Sequence, residues 1–277
     1  MANLRIVPLN HWDAATLSTT GAMAAGFPLI NTQNSTRGLV ARSTSNAAQS
    51  WKATWGASPV RTCTFFGMFL HTVGGIGSTG TIRVQLYSDA AWTTGIYDST
   101  ALSANNITPT EAYQFGISSN DPFAGTWPFW LWFTSKTFRS AQITFGGTPL
   151  NAYFQASRIF IGEALEVTYN PAYGATLGWV DKSDRNRSRG GSLRTSVGPS
   201  WRVMDNPMPW VDNAQRASFL DTQRYCGTGR DFVISLYPED GTRLERDYML
   251  NAKFVALDAL GRPSKNRLST RLQVEEV

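Results

Sequence analysis

The stretch TIRVQLYSD, residues 81–89, alternates strictly: Ile82, Val84 and Leu86 fall on one side, Arg83, Gln85 and Tyr87 on the other. Side chains with a period of two belong to a strand that buries one face and wets the other. On either side of it the chain repeats the theme. RTCTFFGMFLHTV (61–73) is apolar on both parities, with Phe66, Met68 and Leu70 against Cys63, Phe65 and Phe69. Such a run suits a central strand covered on both faces or a buried helix, and its β-branched and aromatic neighbours favour the strand. TWPFWLWFTS (126–135) has the same two-sided character, and SAQITF (140–145) and SRIFIGEALEV (157–167) complete the set. Between them lie turn clusters: Gly74-Gly75, Gly77-Ser78-Thr79-Gly80, Asn105-Asn106, Ser119 to Pro122 and Gly146-Gly147. Many short strands separated by polar turns predict a sandwich or barrel.

The composition agrees. Of 277 residues, 42% are hydrophobic and only 16% charged, against about 25% charged in an average protein. Low charge with abundant Gly, Ser, Thr, Asn and aromatics fits an all-β chain, and a chain that buries surface against copies of itself. The first 50 residues read as a wrapped segment with short edge strands. After Tyr169-Asn170-Pro171 the character changes, and a boundary near 167 separates a 1–166 domain from a 167–277 module. Within the latter, Asp212 is a candidate cap, Val211, Ala214, Ala217 and Leu220 form a helical stripe, and Gly227 closes it, predicting a helix over about 211–225. FVISLYPEDG (232–241) reads as strand and turn, RDYMLNAKFVALDALG (246–261) as a further strand pair, and the tail from Pro263 as a last strand. The predicted fold class is all-β with one or two short helices: a jelly-roll β-sandwich plus a smaller β-barrel-like module.

Residues that carry chemistry are scarce. There are two histidines, His11 and His71, and any Ser-His-Asp or Cys-His arrangement must use one of them. His71 ends an apolar strand, where a packed histidine is the commoner case. Cys63 lies in a strand that looks buried, and Cys63 and Cys226 have no CxxC spacing, so both are expected as free thiols. No GxSxG, HExxH or EF-hand pattern occurs. GGIGSTG (74–80) lacks the Lys-Ser/Thr ending of a phosphate loop. Asp89, Asp98 and Asp121 sit in turn-like contexts that acids favour for backbone hydrogen bonds. The sequons at Asn34, Asn106 and Asn186 read as chance matches. We expect no catalytic residue, no cofactor and no metal. The opening MANLRIVPLN lacks the charge-then-apolar pattern of a secretion signal, and no apolar run reaches the ~20 residues of a membrane span.

Binding candidates remain. Trp92 and Trp127, with Trp130 and Trp132 nearby, lie beside polar loops, where they fill a core, anchor an interface or stack on a sugar ring. DKSDRNRSRGGS (181–192) places Lys182, Arg185, Arg187 and Arg189 within eight positions of a chain whose net charge is +5. No aromatic interleaves with these cations, and Asp181 and Asp184 dilute them, unlike a typical nucleic-acid grip. The stretch reads as a solvated β-hairpin loop, or as an interface or lumen loop that sets weak positive charge around passing DNA.

Taken together, these segments resemble the distal tail (baseplate) proteins of long-tailed bacteriophages. The likeness in the second half runs from LEVTYNPAYGATLGWVDKS (165–183) through GGSLRTS (190–196), Trp201, the helix near 211–225 and FVISLYPEDG to a closing strand pair at 247–258. The first half is similar to the jelly-roll, galactose-binding-like domains of phage tail proteins, in NHWDAATLS (10–18), FPLINTQNSTRGLVARS (27–43), FFGMFLHTVGG (65–75), TIRVQLYSD, GIYDST (95–100) and SRIFIGEAL (157–165). The resemblance implies a non-catalytic virion protein of the tail tip, made in the host cytoplasm. It would form a homohexameric ring joining the tail tube to the hub and fibres. The alternative expectation is a carbohydrate-binding module for host-surface glycan.

Overall fold

The computed structural model describes residues 3–56, 60–73, 79–103, 128–149, 151–171, 174–239, 243–264 and 267–277. Trp127, Asn106, Asp121 and residues 74–78 of the glycine-rich loop lie outside the described residues.

The chain is mostly β, as the alternation predicts. In chain order the strands are β1 (Arg5–Val7), β2 (Thr16–Thr19), β3 (Ala41–Arg42), β4 (Gln49–Thr54), β5 (Arg61–Phe69), β6 (Thr81–Tyr87), β7 (Gly95–Asp98), β8 (Leu102–Ser103), β9 (Phe129–Phe138), β10 (Ser140–Gly146), β11 (Gln155–Ala156), β12 (Arg158–Gly162), β13 (Leu165–Glu166), β14 (Thr176–Asp181), β15 (Asp184–Arg187), β16 (Leu193–Ser196), β17 (Ser200–Asp212), β18 (Phe232–Ser235), β19 (Met249–Phe254), β20 (Gly261–Ser264) and β21 (Arg267–Glu276). Helices α1 (Arg216–Cys226) and α2 (Arg243–Asp247) interrupt the last third.

Among the described residues, three sheets stack. The first has the order β2-β4-β10-β6-β7, with β8 beside β6. Its inward row crosses three strands in register, Val84 opposite Ile143 and Ile143 opposite Trp51. The middle sheet, β12-β5-β9, buries both faces. Cys63, Phe66, Met68, Ile159 and Ile161 pack on the first sheet, while Phe65, Phe69, Trp130 and Phe160 pack on Val7, Val233 and Met249 of the third. The two-sided apolar run at 61–73 therefore has its cause: the strand lies in a middle layer. Burying such side chains stabilises by about 1.5–3 kcal/mol each, and the middle layer contributes to the core on both of its faces.

The third sheet runs β13-β1-β18-β19-β21-β17-β14, with β20 beside β21; the path ends at β13 on one side and β14 on the other. β1 pairs with β18 in register Ile6 to Ile234, so the chain's first strand lies in the sheet built by its last hundred residues. The outer face of this sheet packs on α1 through Phe219 and Cys226.

Two elements differ from the sequence reading. β17 runs on to Asp212, with Val211 paired to Leu268, and a 3-10 turn (Asn213–Gln215) precedes α1. The buried stripe is Phe219, Thr222 and Cys226, whereas Leu220 is exposed. Asp212 caps the 3-10 turn, its side chain accepting from the Ala214 N–H at 3.1 Å, whereas α1 starts after Gln215 with no side-chain cap; Gly227 closes α1, as predicted, at a positive φ of 51°. The strand pair expected at 247–258 is a single strand, β19. Leu250, Ala252 and Phe254 alternate into the core, while Val255 and Leu257 are exposed. β19 pairs with β18 on one side and, on the other, with the C-terminal β21, which sets Phe254 opposite Val274.

Candidate binding surfaces

One open cleft, of about 360 Å³, lies where the NHWD segment meets β5 and α1. Asn10 builds its floor. Its side chain accepts from the Trp12 and Ile161 N–H groups and donates to the Ile159 carbonyl at 2.9 Å, locking the turn to β12. That lock presents His11 and Asp13. The His11 Nε2 contacts the Thr62 carbonyl at 2.9 Å, and burial lowers its pKa against the opposing pull of that carbonyl. Burial raises the Asp13 carboxyl, although Arg158 pulls the other way. Arg61 and Thr62 of β5 complete the polar side. Leu9, Val60 and Tyr225, all exposed, form the apolar side, and the Arg230 guanidinium sits 4.5 Å from the Tyr225 ring.

Beneath the cleft, Arg158 of β12 is 3% exposed and is held by two carboxylates. It donates from Nε and Nη2 to both oxygens of Asp231 at 2.8 and 2.9 Å, and from Nη1 and Nη2 to Asp13. Asp231 itself is buried and immediately precedes β18. The cluster ties the N-terminal turn, the middle sheet and the third sheet together.

A second surface is the free edge of the third sheet. Among the described residues β14 pairs only with β17, in register Leu177 to Met204 and Trp179 to Arg202. Leu177 packs on the core; Trp179, two residues on, continues its row past the end of the core and is 62% exposed. Farther along β17, Trp210 is half-exposed, with the Arg267 guanidinium 4.0 Å over its ring and Tyr169 edge-on.

The candidate cations lie on a projection. β15 and β16 form a separate two-stranded hairpin, and all eight strand residues are exposed. Arg185 and Arg187 are on β15, Lys182 precedes it and Arg189 sits in its turn. Trp92 is half-buried, with Lys52 Nζ 5.0 Å from its ring and its Nε1 donating to the Ala141 carbonyl at 3.4 Å, so it lies against the first sheet. Trp130 is core, and the Trp132 Nε1 donates to Glu245 at 2.6 Å.

His71 is fully buried, its Nδ1 accepting from the Val73 N–H, and burial lowers its pKa to about 4. Cys63 and Cys226 are free and buried, and burial raises both thiols, that of Cys226 to about 12. Among the described residues no three His, Cys, Asp or Glu side chains cluster to hold a metal ion, and no helix is long and apolar enough to cross a membrane.

Neither the cleft nor the edge is legible in the sequence. Arg61 and Tyr225 are distant in the chain, and only the packing of α1 against the NHWD turn brings them together. Trp179 did carry a signal, since Leu177 and Trp179 share one parity in LGWVD, but nothing in the sequence shows where the core stops beneath them.

No family model matches the chain, and no curated protein matches it. Similar solved structures include chitosan-binding module 1 of a chitosanase/glucanase from Paenibacillus sp. IK-5, at 13% identity and a TM-score of 0.39, covering 55% of this chain and 98% of that one. A fucose-binding module from Streptococcus pneumoniae matches at 10% identity and a TM-score of 0.40, covering 56% and 94%. The lectin domain of lectinolysin, in complex with Lewis B antigen, matches at 12% identity and a TM-score of 0.38, covering 56% and 98%. Scores of this size mark a distant likeness.

Proposed function

We propose that the chain is a non-catalytic assembly protein that joins further copies of itself through the free edge of its third sheet. The setting we propose is the one the sequence resembles: a ring at the tail tip of a long-tailed phage, between tail tube, hub and fibres. The distribution of exposed apolar side chains carries this reading. Among the described residues, fourteen large apolar side chains are exposed, and ten of them lie within residues 167–277. A free six-residue edge strand with an exposed tryptophan is a template for another chain, because its unpaired N–H and C=O groups and its apolar surface are satisfied together on association. Copies that meet head to tail close into a ring when the rotation permits. The test is sedimentation of Trp179→Glu beside the wild type. A charge at that position should dissociate the assembly without lowering the melting temperature; an unchanged sedimentation profile would count against the edge.

A second, compatible reading is glycan binding, and the cleft favours it. The apolar ring face of Tyr225 beside Leu9 and Val60, opposite the polar groups of His11, Asp13 and Arg61, suits a sugar, which has one apolar face and a rim of hydroxyls. Binding on a glycan array that is lost in both Arg61→Ala and Tyr225→Ala would support it. No binding to any glycan by the wild type would remove it.

A further inference from the structure

We infer that one face of the β15–β16 hairpin binds a phosphodiester polymer. Between Asp181 and Ser196 five cations stand against two carboxylates, a net +3 in a chain whose total is +5. The pairing sorts these charges by face. Arg185 stands opposite Thr195 and Arg187 opposite Leu193, so these four side chains share one face. Asp184, Asn186, Arg194 and Ser196 share the other. Among the strand residues, the first face therefore holds two guanidiniums, a hydroxyl and Leu193 with no carboxylate. Asp181, just before the hairpin, has its carboxyl lowered first by hydrogen bonding to Ser183 and is near enough for the Arg185 charge to lower it further. The Asn186 amide, donating to Asp184 at 3.3 Å, keeps that carboxylate on the opposite side.

The spacing suits the ligand. Arg185 and Arg187 are two residues apart, about 7 Å along a strand, within reach of successive phosphates on an extended backbone. Arg187 is partly oriented already, since its Nη1 donates to the Gly191 carbonyl at 3.1 Å, and Arg189 in the same turn can add a third charge. Neither Arg185 nor Arg187 forms an ion pair among the described residues. A two-stranded hairpin with every strand residue exposed is marginal by itself, and a polyanion laid along its cationic face supplies the missing contacts. With no aromatic on this face, recognition is of the backbone, without base readout.

The probes are a labelled short duplex DNA and poly(glycerol phosphate), titrated with the full chain by fluorescence anisotropy and competition. With two or three phosphates engaged, affinity should fall about 10- to 40-fold between about 50 and 200 mM salt. The double variant Arg185→Ser/Arg187→Ser should lose at least about tenfold and flatten the salt slope by about 2. Arg194→Ser, on the other face, should stay within about threefold of wild type. Unchanged melting temperatures establish that both variants fold. Binding of the DNA alone, of the glycerol phosphate polymer alone, or of both supports the inference and names the source. No binding at the lower salt, an equal loss in Arg194→Ser, or equally tight binding of poly-glutamate would overturn it. The inference does not depend on copy number: a monomer that binds would leave it standing while sinking the assembly reading.

Discussion

Replacing Arg158 with methionine tests whether the buried charge cluster holds the layers together. Arg158 and Asp231 are 3% and 7% exposed, and the guanidinium spends two donors on Asp231 and two on Asp13. The pair as a whole adds little over an apolar substitute, because desolvating two ions offsets most of their attraction. Removing one partner is different. Asp231 would remain in the interior with no counter-ion, a defect that costs about 3–5 kcal/mol. For a chain of this size that is a fall of roughly 6–20 °C in melting temperature. Asp13, at the cleft mouth, can turn to solvent and should contribute less. Urea unfolding at neutral pH measures the loss. The double variant Arg158→Met/Asp231→Leu should recover much of it, since the orphaned charge is then gone. A single variant within about 1 kcal/mol of wild type would refute the reasoning, as would a double variant no better than the single.

Two further outcomes follow from the packing. At Gly162 an added Cβ would lie 2.2 Å from the Leu9 carbonyl oxygen and 2.6 Å from a Val7 methyl, so the backbone itself must move. Gly162→Ala should cost about 1–3 kcal/mol in denaturant midpoint analysis, and a neutral result would contradict the close approach of these layers. His71 makes stability depend on pH. Its pKa is about 4 in the fold against an ordinary 6.5, so below pH 6.5 the unfolded chain binds a proton that the folded chain refuses. Stability should therefore fall as pH drops from about 6.5 to about 4, by about 3 kcal/mol from this group. The His71→Leu variant should lose that part of the slope, and superimposable pH profiles would exclude the effect.

The legible parts of the fold were those where one local rule decides. Ile82, Val84 and Leu86 alternate because their strand buries one face, and that pattern survives in the structure residue by residue. The two-sided run at 61–73 indicated burial on both faces but not what covers them, since the third sheet is assembled from β1 and strands more than 150 residues later. The helix near 211 was displaced because Val211 fits either period. Pairing with Leu268, a long-range contact, assigns it to β17. The hairpin at 181–192 was readable from its glycines and charges, yet its two unlike faces appear only once the register sets Arg185 opposite Thr195. The place of Trp92 beside polar loops left core, interface and sugar-stacking roles open in the sequence; its contacts with Lys52 and the Ala141 carbonyl, which hold it on the sheet, are long-range and not legible there. The cleft was illegible because Tyr225 and Arg61 meet only through tertiary packing.

The measurement that tests the central claim most directly is the solution mass of the purified chain by light scattering behind a sizing column, over a range of concentrations, with negative-stain images of the peak. A protein that assembles through its β14 edge should run as a discrete multi-copy species, ring-shaped and of about six copies as the sequence likeness implies, that Trp179→Glu converts to single chains. A monomer at every concentration would contradict it.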